Sequence, residues 1–174
     1  ARIMALIVET GALVAGAESY ASVAYANSLH ILLGNESWSD LDTSVKEQAL
    51  RKATQYMQSK YFSMWQGRKR DDDQSLDWPR EGVVIFGTNS LVANSIIPNE
   101  IKNACCLLAL RASTSTLVSD KERAVKREKV DVLEVEYSEY DTSEKVYSEI
   151  DYMLGRYFNN ASASGGGGLS VVRV

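Results

Sequence analysis

Between positions 45 and 64 apolar side chains return at steps of three and four residues: Val45, Ala49, Ala53, Tyr56, Met57, Tyr61 and Met64. This stripe constrains the fold more than any other feature of the chain. A helix with one wide apolar face gains its stability by lying against other elements, so a helical core must surround it. The positions between are rich in Ala, Leu, Lys, Gln and Glu, which favour the same state. Asp40 or Asp42 can cap its start, and Ser44 with Glu47 fits a capping box. The helix is expected to end near Phe62.

Three more segments supply the partners. Residues 17–33 carry Tyr20, Val23, Ala24, Asn27 and Ile31 at helical steps, stopped by Gly34-Asn35. Pro98 suits the first turn of a third helix, lined by Ile101, Ala104, Cys105, Leu108 and Ala112. Leu107 and Leu110 widen that face, which makes this helix central. Residues 145–158 form a fourth, with Val146, Ile150, Met153, Leu154 and Tyr157 as its stripe. Residues 2–8 read as a buried strand or an extended arm, ended by Glu9-Thr10-Gly11. Residues 66–82 read as a polar loop, followed by a short strand at 83–86.

Period-2 alternation occurs where Leu133, Val135 and Tyr137 interleave with Glu134, Glu136 and Ser138, which predicts a β-hairpin over 125–137. With the turn at Asp131-Val132, Val130 faces Leu133, Lys129 faces Glu134 and Arg127 faces Glu136. Asp-Val is not a favoured two-residue turn, which leaves a longer loop open. The expected architecture is mainly α: a four-helix core over 1–158 with a small protruding hairpin. An extended arm, 159–174, follows, with glycines 165–168 as a flexible linker and an apolar tip.

The 174 residues are the size of one domain. Lys and Arg number 19 against 23 Asp and Glu, a formal charge of -4, which argues against broad electrostatic binding of nucleic acid. The densest basic stretch, with Lys121, Arg123, Lys126, Arg127 and Lys129, is interleaved with Glu122 and Glu128 and lies opposite Glu134 and Glu136. A charge-paired hairpin is the reading it supports. Cys105 and Cys106, the two cysteines, are adjacent, point about 100° apart on a helix, and read as small buried hydrophobes in a reduced compartment. No apolar run approaches the ~20 residues of a membrane span, and the apolar start, 1–16, makes a poor signal peptide.

Catalytic chemistry finds little to work with. His30 is the one histidine, so a two-histidine metal site is excluded and little room is left for an ordinary triad. It reads as a helix-surface or half-buried side chain. Asp71, Asp72, Asp73 and Asp77 lack the glycine and final glutamate of a calcium loop and read as a solvated acidic loop. Glycines 165–168 lack the Lys-Ser pair of a phosphate loop. Trp38, Trp65 and Trp78 read as anchors of loops on the core. The expectation is a protein that is not an enzyme and holds no cofactor or metal.

Five segments together resemble a known group: 5–11 (Ala-Leu-Ile-Val-Glu-Thr-Gly), 19–26 (Ser-Tyr-Ala-Ser-Val-Ala-Tyr-Ala), 46–54 (Lys-Glu-Gln-Ala-Leu-Arg-Lys-Ala-Thr), 76–80 (Leu-Asp-Trp-Pro-Arg) with Gly82-Val83, and 125–130 with 134–137. Over residues 5–155 the chain resembles a family of tailed-phage and prophage proteins similar to head–tail connector, or adaptor, proteins. Some members carry the label "putative DnaT-like single-stranded-DNA-binding protein". Asp131 stands where that pattern has glycine, and 164–174 lie outside the shared segments. The resemblance implies a helical protein that forms a ring, commonly twelve-fold, beneath the portal. Such a ring extends the DNA channel without binding DNA specifically and docks a tail terminator or other neck protein. It implies residence in the virion at the head–tail junction, and in the host cytoplasm during assembly. The residues expected at subunit or partner boundaries are the hairpin's Lys126, Arg127, Lys129, Glu134, Val135, Glu136 and Tyr137. Those expected on the arm are Leu169, Val171, Val172 and Val174. The alternative is a single-stranded-DNA-binding accessory protein of replication.

Overall fold

A computed structural model describes residues 5–118 and 146–159 and the backbone of 128–130 and 133–135. In chain order the elements are α1 (Val23–Leu32), α2 (Glu36–Ser39), α3 (Thr43–Tyr61), β1 (Arg68–Lys69), β2 (Arg80–Glu81), α4 (Asn99–Thr114), β3 (Glu128–Val130), β4 (Leu133–Val135) and α5 (Ser148–Leu154). A 3-10 turn, Gly155–Tyr157, extends α5. The fold is mainly helical, as the periodicity predicts.

Helix α3 buries Ala49, Leu50, Ala53, Thr54, Tyr56, Met57 and Tyr61. Its main partner is α4, which presents the expected Ile101, Ala104, Cys105, Leu108 and Ala112, all at most 8% exposed. Pro98 precedes α4 as its N-cap residue, where the missing N–H costs nothing. Asp42 is the N-cap residue of α3, but its side chain makes no capping bond. Helix α5 crosses from the Arg111 end of α4 to the Glu100 end: Arg111 pairs with Glu149 at 2.9 Å and Arg156 with Glu100 at 3.1 Å. It therefore runs antiparallel to α4. Along α3 it runs in parallel, with Lys60 on Asp151 at 3.0 Å and then Trp65 bridged to Phe158.

Several expectations need correction. The first helix begins at Val23, not at 17, because the Ser22 hydroxyl caps it by accepting the Tyr25 N–H at 3.1 Å. Its buried residues are Ala26 and His30, whereas Ile31 is 70% exposed. The stripe read from the sequence thus lies partly on the outer face. With no Asp, Glu, Lys or Arg between Val23 and Leu33, polarity does not mark which side faces water. The 66–82 stretch is more than a polar loop: β1 pairs antiparallel with β2, Arg68 opposite Glu81 and Lys69 opposite Arg80. Between the two strands, Leu76, Asp77 and Trp78 are buried. At 83–86 there is one bridge, Val84 to Leu91, rather than a strand. The last helix is shorter than 145–158, its final turn having tightened to 3-10 at Gly155.

The hairpin is present in the expected register. Lys129 lies opposite Glu134 and Val130 opposite Leu133, with Glu128 opposite Val135. The pairing of Arg127 with Glu136 falls outside the described residues. Near the start of the chain, Val8 bridges Ser19 in parallel, so residues 5–8 behave as an extended arm on the 17–21 segment.

Candidate functional site

Three loops are locked by buried polar groups that sequence periodicity does not reveal. Glu9 is 2% exposed, and its carboxylate gathers main-chain N–H groups of the loop that follows. Oε1 accepts from Gly11 at 2.8 Å and Leu13 at 3.1 Å, and Oε2 accepts from Val14 at 2.9 Å. Gly11 has φ +100°, and a Cβ there would stand 2.1 Å from the Ser95 carbonyl oxygen. Glycine is required because the loop touches the segment before α4 backbone to backbone. Arg70 reaches the same place, donating to the Gly11 carbonyl at 3.1 Å.

The 76–80 motif forms the second anchor. Arg80 is buried and held by carbonyls: Nε donates to Gln66 at 2.8 Å, Nη2 to Gly67 at 2.9 Å and Nη1 to Asp77 at 3.3 Å. It closes the base of the β1–β2 ladder. Burial pushes the Asp77 carboxyl up, against the pull of Lys69 and Arg80. The Trp78–Pro79 peptide is cis. Trp78 stands edge-on to Trp65 at 5.6 Å and to Tyr157 at 5.6 Å, and Tyr61 stacks on Phe158 at 5.4 Å. All three tryptophans anchor loops on the core: Trp38 is 1%, Trp65 5% and Trp78 0% exposed. Asp77 and its aromatic neighbours are largely buried and frame the loop.

His30 is fully buried, which corrects the surface or half-buried reading. Its Nε2 lies 3.1 Å from the Cys106 carbonyl and its Nδ1 3.0 Å from Asn35 Nδ2. The carbonyl can only accept, so Nε2 carries the proton and Nδ1 accepts from Asn35. Burial holds its pKa below the ordinary value. The ring packs on Trp38 at 4.7 Å and so ties the α1–α2 turn to α4. Both cysteines are buried and free, as the helical spacing predicts. The Cys105 Sγ sits 3.3 Å from Thr54 Oγ1, and burial raises both thiols above the ordinary value, that of Cys106 well above it.

Two surface features stand out among the described residues. The end of α1 exposes Ile31 (70%), Leu32 (84%) and Leu33 (53%) in one run. The other feature is an open groove of about 540 Å³ between the middle of α3 and the end of α4, lined by Lys52, Tyr56, Ala112, Leu117 and Val118 among others. The chain leaves the described residues at Val118, on the wall of this groove. Sequence reasoning missed the first feature, although an uncharged 23–33 segment was its signal. It missed the groove as well, for which no local pattern exists.

Of the residues expected at partner boundaries, the structure places the backbones of Lys129, Glu134 and Val135 on the β3–β4 ladder. Lys126, Arg127, Glu136 and Tyr137 lie outside the described residues, as do the arm's Leu169, Val171, Val172 and Val174. Asp71 and Asp73 form a local turn, the Asp73 N–H donating to Asp71 Oδ1 at 2.9 Å. No group of three or more potential metal ligands occurs among the described residues. No helix among them is long and apolar enough to cross a membrane.

Neither the curated proteins nor the solved structures contain a match to the chain. A family described as "Putative DnaT-like ssDNA binding protein" matches residues 4–174. The match runs through the hairpin, the glycine tract and the apolar tip, although 164–174 stand outside the segments that carry the resemblance in the sequence. By this match over nearly its whole length, the chain belongs to the family so described.

Proposed function

We propose that this protein is a structural head–tail connector of a tailed bacteriophage, a non-enzymatic subunit of a ring beneath the portal. The observation that carries the reading is α1. Its sequence is uncharged from Val23 to Leu33, and the outer end leaves Ile31, Leu32 and Leu33 in water. Exposed apolar runs mark interaction surfaces. Assembly supplies the missing cover. The buried locks at Glu9, Arg80 and His30 suit a rigid building block whose loops must keep their shape in contact with neighbours. In this reading the β3–β4 hairpin lies at a subunit or partner boundary, since a lone two-stranded hairpin is marginal in water. The arm's Leu169, Val171, Val172 and Val174 dock on the portal, a neck protein or a sister subunit. The negative balance lets DNA pass through the ring without tight phosphate contacts.

A second reading, single-stranded-DNA binding in replication, is favoured by the family match, whose description names that activity. A sequence-tolerant site of this kind combines a basic groove with exposed stacking aromatics. Among the described residues the three tryptophans are buried, whereas Phe62, Phe86 and Tyr152 are 66%, 69% and 84% exposed. Electron microscopy of the purified protein, alone and with a portal, separates the readings when paired with anisotropy titrations of a labelled single strand. Rings on the portal and no strand binding at physiological salt are expected. Tight binding that weakens steeply with salt, with no portal association, would replace the first reading by the second.

A further inference from the structure

The exposed end of α1 and the groove between α3 and α4 are both apolar and carry opposite charges at their edges. The projecting part is an apolar knob: Ile31, Leu32 and Leu33 stand out beside Gly34, with no charge among them. The receiving part is a groove of about 540 Å³ whose walls include Tyr56, Ala112, Leu117 and Val118. That volume lies within the roughly 300–1,000 Å³ range of sites that enclose a compact apolar group. The charges at the two edges are opposite. Immediately after the knob come Glu36 and Asp40, both exposed, and at the groove stands the exposed Lys52. None of the three forms an ion pair among the described residues. Knob and groove share no residue. The knob is joined to the N-terminal part of α3, where Lys46 lies over the Trp38 ring at 5.9 Å, whereas the groove begins at Lys52.

We propose that the knob of one subunit inserts into the groove of a second copy of this chain, with Glu36 and Asp40 placed against Lys52. The contact is head-to-tail. Each copy offers one knob and one groove, so the contact propagates from copy to copy and closes into a ring if the rotation permits. This rests on the reading of the chain as an assembling subunit and names the surfaces that join.

Two kinds of variant at exposed positions test it. Leu32→Glu disables the knob, and the double variant Lys52→Glu/Val118→Glu disables the groove while leaving the buried Leu117 in place. The urea midpoint of each should match that of the parent, showing that the fold is intact. Sedimentation velocity should then show oligomers for the parent and monomers for each variant. The concentration needed for association should rise roughly thirtyfold or more, the loss expected for a central anchor. An equimolar mixture of the two variants is decisive. Each retains one good surface, so the mixture should yield dimers that grow no further. Glu36→Lys combined with Lys52→Glu should restore part of the association lost in Lys52→Glu alone.

A mixture that stays monomeric overturns the proposal, as do variants that assemble like the parent. So does a parent that remains monomeric at high concentration. If residues 119–145 of the same chain fill the groove, the groove variant assembles normally and the proposal is equally lost. Any of these results leaves the connector reading to its own test, binding to the portal.

Discussion

Glu9 offers a graded test of how the N-terminal loop is held. Its two carboxylate oxygens do unequal work: Oε1 accepts from Gly11 and Leu13, Oε2 from Val14 alone. In Glu9→Gln the amide oxygen can keep the Gly11 and Leu13 donors, but the NH2 group then faces the Val14 N–H, donor to donor. One charge-assisted bond, worth about 1.5–3 kcal/mol, is lost, and two others fall to neutral strength, about 0.5–1.5 kcal/mol each. These losses sum to about 3.5–6 kcal/mol, and the neutral amide recovers part of them because it no longer carries the cost of burying a charge, so the expected cost is about 2–4 kcal/mol. Glu9→Ala abandons all three donors. Each unsatisfied buried N–H costs about 1–3 kcal/mol. Leu13 and Val14 are only half-buried and water can reach them, so the sum stays near 3–6 kcal/mol. Urea denaturation followed by tryptophan fluorescence is the assay. With a slope of about 1–3 kcal/mol per molar for a small protein, Glu9→Gln should lower the midpoint by roughly 1–2 M. Glu18→Gln is the control, because Glu18 makes a partly exposed pair with Arg51 at 2.8 Å and should cost under about 1 kcal/mol. A Glu9→Gln midpoint within the error of the parent, at unchanged slope, would refute the account.

Gly11→Ala forces a Cβ to 2.1 Å from the Ser95 oxygen at φ +100°; it should cost more than about 2 kcal/mol, measured by the same titration, whereas Gly34→Ala, with open space around it, should cost less. His30 is neutral in the fold and its pKa is lowered by burial. The unfolded chain therefore binds its proton first, and stability should fall as pH drops below about 6.5, by at most about 1.4 kcal/mol per pH unit for one group. His30→Gln should abolish that slope above pH 5; an unchanged slope would assign it elsewhere. Deleting 165–174 should leave the urea midpoint unchanged and weaken assembly on a portal; normal assembly of the truncated chain would remove the arm from the interface.

The helices were legible where polarity marks a face. The 45–64 stripe and the 101–112 face appear as read because charged residues occupy their outer sides. Helix α1 was found but turned the wrong way, since its sequence is uncharged and no charged residue then marks the outer side. The hairpin register followed from alternation, which a single-residue slip would have destroyed. What stayed hidden was non-local. Glu9 serves donors only two to five residues away, yet its burial depends on the 94–96 segment packing over the loop. His30 meets Cys106 and Arg80 meets Gln66 and Gly67 only after the chain has folded. The groove belongs to two helices far apart in sequence.

The two ends of the 119–145 segment are fastened to each other by the folded core. Tyr147 donates its hydroxyl proton to the Leu117 carbonyl at 3.4 Å, and the Arg111 guanidinium lies over the Tyr147 ring at 5.1 Å. Tyr147 also meets Tyr56 edge-on at 5.6 Å, so the fastening reaches α3. The core therefore closes beneath the segment. Where the base of a connection is fixed in this way, halving the length of a flexible loop changes the closure free energy by only about 0.6 kcal/mol. A change in the length of the segment is thus expected to leave the fastening of Tyr147 to Leu117 in place. A short glycine-serine bridge from Val118 to Val146 should fold, leaving a module onto which hairpins of other sequence can be grafted to alter what the protein meets.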